Sequence, residues 1–164
     1  MKLAEALLLR ADRNRTMEQL KQRIQASARY QEGEKPSEDA RQLVSVASSV
    51  LDELEALIRN INRTNSITVM ADGRTLTDAL AERDVLRLRY SVLKSSADAA
   101  SGAHQQVSYM RTTRSELKVI SALDVRNLRQ QASDVARRTR ELDARIQEVN
   151  WTTELQEAEN PNRA

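Results

Sequence analysis

The chain has 164 residues and a formal net charge of +2, and 30% of its residues are charged while only 2% are aromatic. It contains three glycines, two prolines and no cysteine, a composition typical of long helices and coiled coils. The lack of cysteine excludes disulfides, thiolate nucleophiles and zinc–thiolate sites.

The start of the sequence has no signal-peptide pattern, because Glu5 lies just before a run of only three leucines. No window approaches the roughly 18 apolar residues that are needed to cross a bilayer. We therefore predict a cytoplasmic protein with one helical-bundle domain over residues 1–155 and a disordered tail over residues 156–164.

The first predicted helix covers residues 2–31 and ends where Gly33 and Pro36 interrupt the chain. Its apolar residues follow the spacing of one helix face, namely Leu3, Ala6, Met17, Leu20 and Ile24. Arg10 and Arg13 occupy the middle of the same face. Because polar residues in a helix seam often fix register and oligomeric state, we predict that role for both arginines.

The second predicted helix covers residues 38–60 and carries two apolar stripes. The regular stripe consists of Leu43, Ala47, Val50, Leu54, Leu57 and Ile61. Val44, Leu51 and Ile58 form a second stripe, which widens the apolar face and predicts two neighbouring helices rather than one.

The third and fourth predicted helices cover residues 76–103 and 125–149. On the third, one stripe holds Ala79, Leu86, Tyr90, Leu93, Ala97 and Ala100, with Arg83 on the same line, and a second holds Ala81, Val85, Leu88, Val92 and Ala99. The fourth has the most regular stripe, namely Val125, Leu128, Ala132, Val135, Thr139, Leu142, Ile146 and Val149. We predict an all-α fold of four long antiparallel helices: a bundle, which we favour, or two helical hairpins that pack further in an oligomer.

Two short β-branched segments, residues 67–70 and 117–121, lie where the helical periodicity lapses. They predict a small two-stranded ribbon at one end of the bundle. Because an isolated pair of strands is only marginally stable, the ribbon would have to rest on the helix ends.

A turn and a helix cap are predicted between the second and third helices. Asp72 and Gly73 favour a tight turn with a positive φ at the glycine. Thr75 fits the first position of a capping box, in which Asp78 reaches back to the cap. These four residues are therefore predicted to be structural.

An alternative for the same region is a polar pocket for an anionic ligand, formed by Arg63, Asn65 and Arg83. Arg83 also lies on an apolar stripe, where it needs a carboxylate partner or access to water. Asp12, Glu53 or a partner subunit are the candidate sources of that carboxylate. When it is paired in this way, Arg83 would fix register like the two arginines of the first helix.

Catalysis and metal binding are not predicted. His104 is the only histidine, and no glutamate lies three residues before it, so the Glu-x-x-His motif of di-metal bundles is absent. Gly73 stands alone, which excludes a glycine-rich loop that cradles phosphate. We predict no catalytic residue, no metal site and no cofactor.

Nucleic-acid binding is the main alternative function. The stretch before and into the fourth helix is basic and includes Arg111, Arg114, Lys118, Arg126 and Arg129, with Tyr109 nearby. Basic side chains grip phosphates and aromatic rings stack on bases. The remainder of the fourth helix carries both signs of charge, however, so an ordinary solvated surface explains the same residues.

Several segments, in chain order, carry a family resemblance. They are QEGEKPSED (31–39), INRTN (61–65), TLTDALAERDVLRLR (75–89), ADAAS (97–101), RSELKVIS (114–121), RELDARIQEVN (140–150) and NWTTEL (150–155). Together they resemble the small bacterial proteins called septicolysin-like. The resemblance implies an all-helical, soluble bacterial protein and brings no catalytic residue with it, while the family label suggests a lysin.

From these features we predict a non-enzymatic protein that forms homo-oligomers through its helix seams and acts as a scaffold or binding protein. The first alternative is nucleic-acid binding through residues 111–129. Membrane lysis, which the family label suggests, is the less favoured alternative.

Overall fold

The computed structural model describes residues 1–102 and 120–157. This part of the chain forms four helices, α1 (Leu3–Ser27), α2 (Ala40–Ile67), α3 (Leu76–Ala100) and α4 (Val125–Thr152). The prediction of an all-α protein with four helices is confirmed. The main difference lies in α2, which continues to Ile67 because no glycine or proline interrupts the chain after residue 60.

Acidic side chains hold the first turns of three helices. The amide of Lys2 donates a 2.7 Å hydrogen bond to the Glu5 carboxylate at the start of α1. Asp39 caps α2 by accepting hydrogen bonds from the next amides, the nearest at 2.9 Å from Arg41. Asp124 likewise accepts a 3.0 Å hydrogen bond from the amide of Asn127 at the start of α4. Each carboxylate satisfies an amide that the helix itself leaves unpaired.

The chain forms two compact units. The first unit contains residues 1–77 and the end of the chain from residue 147, and the second contains residues 78–146. Both boundaries fall near or within helices, so the division marks no linker in the sequence. The single domain predicted for residues 1–155 stays a prediction.

In the first unit, α1 and α2 pack antiparallel around an apolar cluster. Its members are Leu20, Leu43 and Ala47, with Met17, Ile24 and Val50 packed against them. Arg13 Nε on α1 lies 3.1 Å from Glu53 Oε2 on α2, and Arg23 Nε lies 3.0 Å from Oε2 of Glu38, which precedes α2. The hydrogen bond from Arg23 holds the pKa of Glu38 below its ordinary value.

The first unit also joins the two ends of the described chain. The amide of Leu3 donates a 2.9 Å hydrogen bond to the carbonyl of Thr153, and the amide of Leu155 donates one of 2.9 Å to the carbonyl of Met1. Beside these two backbone hydrogen bonds, Lys2 Nζ lies 2.7 Å from the Glu154 carboxylate. This short antiparallel bridge ties the start of α1 to the residues that follow α4.

In the second unit, α3 and α4 form an antiparallel hairpin. Arg87 on the first half of α3 lies 3.2 Å from Asp143 on the last half of α4. A second ion pair joins Glu82 to Arg138. The buried residues of the hairpin are small or aliphatic, namely Ala79, Leu86, Ala97, Ala132, Leu142 and Ile146. The first stripe of α3 and the stripe of α4 are therefore the packed faces, as their spacing predicts.

The predicted two-stranded ribbon is not supported. No strand occurs in residues 1–102 and 120–157, and Val69 forms an isolated bridge with Thr75. Residues 117–119 lie outside the described residues. The physical reason is local: the backbone groups of 68–70 find hydrogen-bond partners within the turn that follows them.

None of the helices in the described part of the chain combines the length and the apolar character that a membrane crossing requires.

Candidate binding surfaces

The segment that joins α2 to α3 is a closed turn. The amide of Met70 donates a 2.8 Å hydrogen bond to the carbonyl of Arg74, and the amide of Leu76 donates one of 2.9 Å to the carbonyl of Thr68. Gly73 has a φ of +83°, in the left-handed region that the Asp-Gly pair favours. Buried side chains anchor the turn on both sides, since Met70 is 5% exposed and Leu76 is fully buried.

The Asp72 side chain also stabilises this turn. It accepts a 3.3 Å hydrogen bond from the amide of Arg74 and lies 2.7 Å from Arg74 Nη2. The carboxylate is therefore engaged locally, as a turn residue is expected to be. The capping roles of Thr75 and Asp78 stay predictions.

The predicted seam arginines have different environments. Arg13 is half-buried and spans the α1–α2 seam to Glu53, while Arg10 is half-buried on the same helix. Arg83 is 22% exposed and lies 2.9 Å from Asp84 and 4.0 Å from Asp143 of α4.

The carboxylates expected for Arg83 are engaged elsewhere. Asp12 pairs with Arg15 at 3.6 Å, and Glu53 pairs with Arg13. Within the second unit Arg83 pairs with Asp84 and Asp143, and the choice of Asp12, Glu53 or a partner subunit as its carboxylate stays a prediction. Helical periodicity places Arg83 on the packed face of α3, but it does not say which helix covers that face.

The residues predicted to bind an anion are divided between the two units. Arg63 is exposed and Asn65 is half-buried, both on the last turns of α2 in the first unit. Arg83 belongs to α3 in the second unit, where two carboxylates already neutralise its charge. The grouping of these three residues as a ligand site stays a prediction.

The basic stretch is described only at its end. Arg126 and Arg129 are exposed on the first turns of α4. The remaining residues of that prediction, Tyr109, Arg111, Arg114 and Lys118, lie outside the described residues, as does His104. In the part of the chain that the structure describes, no three histidine, aspartate or glutamate side chains gather into a metal-ligand set.

A shallow groove of about 420 Å³ runs between α3 and α4 in the second unit. It is lined by Tyr90, Lys94, Ala97, Asp98, Arg129, Ala132, Ser133 and Ala136. The three alanines leave the space, because their side chains are too short to fill the gap between the helices. Lys94 and Arg129 give the rim two positive charges against the one negative charge of Asp98. No feature of the sequence spacing predicted this groove.

The most unusual surface is an apolar stripe on α3. Val85, Leu88 and Val92 are 55%, 68% and 63% exposed, and the smaller Ala81 and Ala99 on the same line are exposed as well. We call these five residues the α3 stripe. The sequence predicted a helix contact for it, and the structure leaves it open to solvent.

A second open stripe lies on α2 in the first unit. Val44, Leu51 and Ile58 are 49%, 50% and 36% exposed. They are the residues from which a second neighbouring helix was predicted for α2. We call them the α2 stripe. Large exposed apolar patches are uncommon on soluble monomers and mark interaction surfaces.

The sequence and the structure have close relatives whose functions are unknown. The chain matches the profile of a family described as "Family of unknown function (DUF6847)" over residues 10–155. It is also similar to the crystal structure of a functionally unknown conserved protein from Corynebacterium diphtheriae, with 36% sequence identity and a TM-score of 0.86. That similarity covers 95% of this chain and 99% of the other. No curated protein matches the chain. The resemblance to septicolysin-like proteins stays a prediction.

Proposed function

The chain belongs to DUF6847, a family of unknown function, and we propose that it is a cytoplasmic, non-enzymatic protein that self-associates and acts as an oligomeric scaffold or binding protein. The observation that carries this proposal is the exposure of the α3 stripe. Its three large aliphatic side chains, Val85, Leu88 and Val92, are each more than half exposed on a helix whose other face packs on α4.

The energetics favour a partner for this stripe. Moving a Val or Leu side chain from water into an apolar contact stabilises by about 1.5–3 kcal/mol. Three such residues from each of two copies therefore offset part of the free energy that association loses in translational and rotational freedom. The surface is small, so we expect association at micromolar rather than nanomolar concentrations.

Self-association is tested by sedimentation velocity of the full chain at about 1–200 μM. We expect the weight-average mass to rise with concentration, and Leu88→Asp to suppress that rise. Leu51→Asp is the comparison variant, because it places the same charge on the α2 stripe, and suppression by Leu51→Asp but not by Leu88→Asp would assign the association to α2 instead of α3. Circular dichroism of each variant establishes that the helices persist. A wild-type chain that stays monomeric over the whole range would reject the proposal.

Nucleic-acid binding is the second candidate function. It is supported by the exposure of Arg126 and Arg129 and by Lys94, which lines the groove together with Arg129. A binder of this kind is expected to lose affinity steeply as salt rises, because phosphate contacts release counterions. Fluorescence anisotropy with a labelled single strand, at two salt concentrations, compares the wild type with Arg126→Glu and Arg129→Glu. Equal and negligible binding by all three proteins would exclude this function for α4.

Membrane lysis is the remaining candidate, and it rests on the family label alone. Dye release from liposomes at micromolar protein tests it directly. We expect no release.

A further inference from the structure

We propose that the α3 stripe binds the α3 stripe of a second copy in parallel, with Asp84 of each copy facing Arg89 of the other. This inference rests on the proposed function, since it names the partner and the geometry of the self-association.

The residue types along the stripe match a parallel two-stranded seam. Val85 and Val92 are seven residues apart, and Leu88 lies three residues after the first of them, so the valines take the a position and the leucine takes d. Among parallel coiled coils, β-branched residues at a and Leu at d favour two strands. The seam between the two valines is about 10 Å long at ~1.5 Å per residue, which limits its strength.

The positions that flank the seam carry opposite charges in the matching places. Asp84 immediately precedes the first valine, at g, and Arg89 immediately follows Leu88, at e. In a parallel pair, a residue at g faces the residue at e that lies five positions later on the partner helix. Asp84 of each copy therefore faces Arg89 of the other, so this contact occurs twice. Asp84 lies 2.9 Å from Arg83 of its own chain but is 64% exposed, and Arg89 is exposed with no ion pair to another described residue.

An antiparallel pair would have to use a less exposed carboxylate. In an antiparallel pair with Leu88 opposite Val85 of the partner, the carboxylate that could pair with Arg89 is Glu82 of the partner copy. Glu82 is ion-paired to Arg138 of its own chain and its side chain is only 19% exposed. The parallel arrangement uses Asp84, which is ion-paired to Arg83 of its own chain but is 64% exposed, and it leaves the Glu82–Arg138 pair intact.

A charge-exchange experiment tests the pairing. Asp84→Arg and Arg89→Asp are made separately in the full chain, and each variant is expected to self-associate about tenfold more weakly than the wild type, because both flanking contacts become repulsive. When the two variants are mixed, each flanking contact again joins an arginine to an aspartate. We expect the mixture to recover the association of the wild type.

The direction of the helices is tested by a single introduced cysteine, since the chain has none of its own. Ala81 lies at the d position one heptad before Leu88, so Ala81→Cys brings two thiols together across a parallel seam. In the antiparallel alignment the two Ala81 residues are about 16 Å apart at ~1.5 Å per residue. Lys94→Cys, on the same helix but off the stripe, is the matched control. We expect a disulfide-linked dimer from Ala81→Cys alone under mild oxidation.

The outcomes separate this inference from the proposed function. A wild-type chain that self-associates, with no recovery in the charge mixture and no disulfide from Ala81→Cys, would overturn the parallel α3 pair and leave self-association standing. A wild-type chain that stays monomeric would overturn both. Recovery in the mixture together with the selective disulfide would support the parallel pair.

Discussion

The backbone amide of Gln156 donates a 2.9 Å hydrogen bond to the hydroxyl of Thr64, which lies 92 residues earlier in the chain. Thr64 is fully buried on α2, and its hydroxyl donates in turn to the carbonyl of Asn60 at 2.7 Å. One buried hydroxyl thus fastens the residues after α4 to the last turns of α2.

Replacing this hydroxyl is expected to destabilise the first unit. Thr64→Val keeps the side-chain shape but leaves the Gln156 amide without its acceptor, so we expect a loss of about 1 kcal/mol in the free energy of unfolding. Thr16→Val is the matched control, because the Thr16 hydroxyl only donates to the carbonyl of Asp12 in its own helix. Urea denaturation measures both variants. Equal effects of the two substitutions would contradict a special role for Thr64.

Acid is expected to weaken the bridge between the chain ends. The hydrogen bond from Lys2, followed by that from the terminal amine, holds the pKa of Glu154 below its ordinary value near 4.5. A carboxyl whose pKa is lower in the folded state stabilises the fold above its unfolded pKa, and the contribution is lost as the pH falls through the folded value. The loss therefore lies below about pH 4.5.

The cause of that shift is tested with Lys2→Met. We expect the pKa of Glu154 to move back toward its ordinary value, because its largest stabilising hydrogen bond is removed. An NMR titration of the side-chain carboxyl carbon measures the pKa in both proteins. An unchanged pKa in the variant would show that Lys2 is not the cause.

The turn before α3 is expected to depend on glycine at position 73. Gly73→Ala forces an L-residue into the left-handed region, at a cost of about 1–2 kcal/mol. No heavy atom lies within 4 Å of the added Cβ, so the loss comes from the backbone rather than from a clash. Gly73→Asn is the matched comparison, because Asn tolerates this conformation better. Thermal unfolding should rank the wild type above Asn and Asn above Ala, and an alanine variant as stable as the wild type would contradict the assigned backbone.

Asp143 is expected to stabilise the α3–α4 hairpin modestly. Asp143→Asn removes the charge that lies between Arg87 and Arg83, and we expect a loss of about 0.5–1 kcal/mol that shrinks in 1 M salt. Asp134→Asn is the control, because Asp134 pairs with Arg137 one turn away on the same helix. Urea denaturation at low and high salt compares them. A loss that salt does not change would exclude an electrostatic origin.

The sequence predicted helices well and their neighbours poorly, for one physical reason. Apolar spacing identifies the faces that avoid water, so the packed stripes of all four helices could be found from it. Spacing does not identify the group that covers a face. For that reason the spacing offered Asp12, Glu53 or a partner subunit as the source of the carboxylate for Arg83, and did not indicate Asp84 or Asp143. For the same reason the α3 stripe was assigned to a helix contact.

The joint between α2 and α3 shows a second limit of sequence reasoning. The Asp-Gly pair indicated the turn, because few residues adopt a positive φ. The β-branched residues 67–70 suggested a strand, but their composition is equally compatible with the end of a long helix and a tight turn. No sequence pattern indicated the Thr64–Gln156 hydrogen bond, because neither residue belongs to a recognisable motif.

The bridge between the chain ends has a consequence for the order of folding. The second unit is continuous in sequence, and the α1–α2 hairpin uses contacts that are local enough to form early. The first unit, however, is completed only after residue 156 has been synthesised, because Glu154 and Gln156 close it. A nascent chain halted after residue 146 would therefore carry an α1–α2 hairpin without its contacts to residues 153–156. Exposed apolar stripes are most prone to mispairing at that stage.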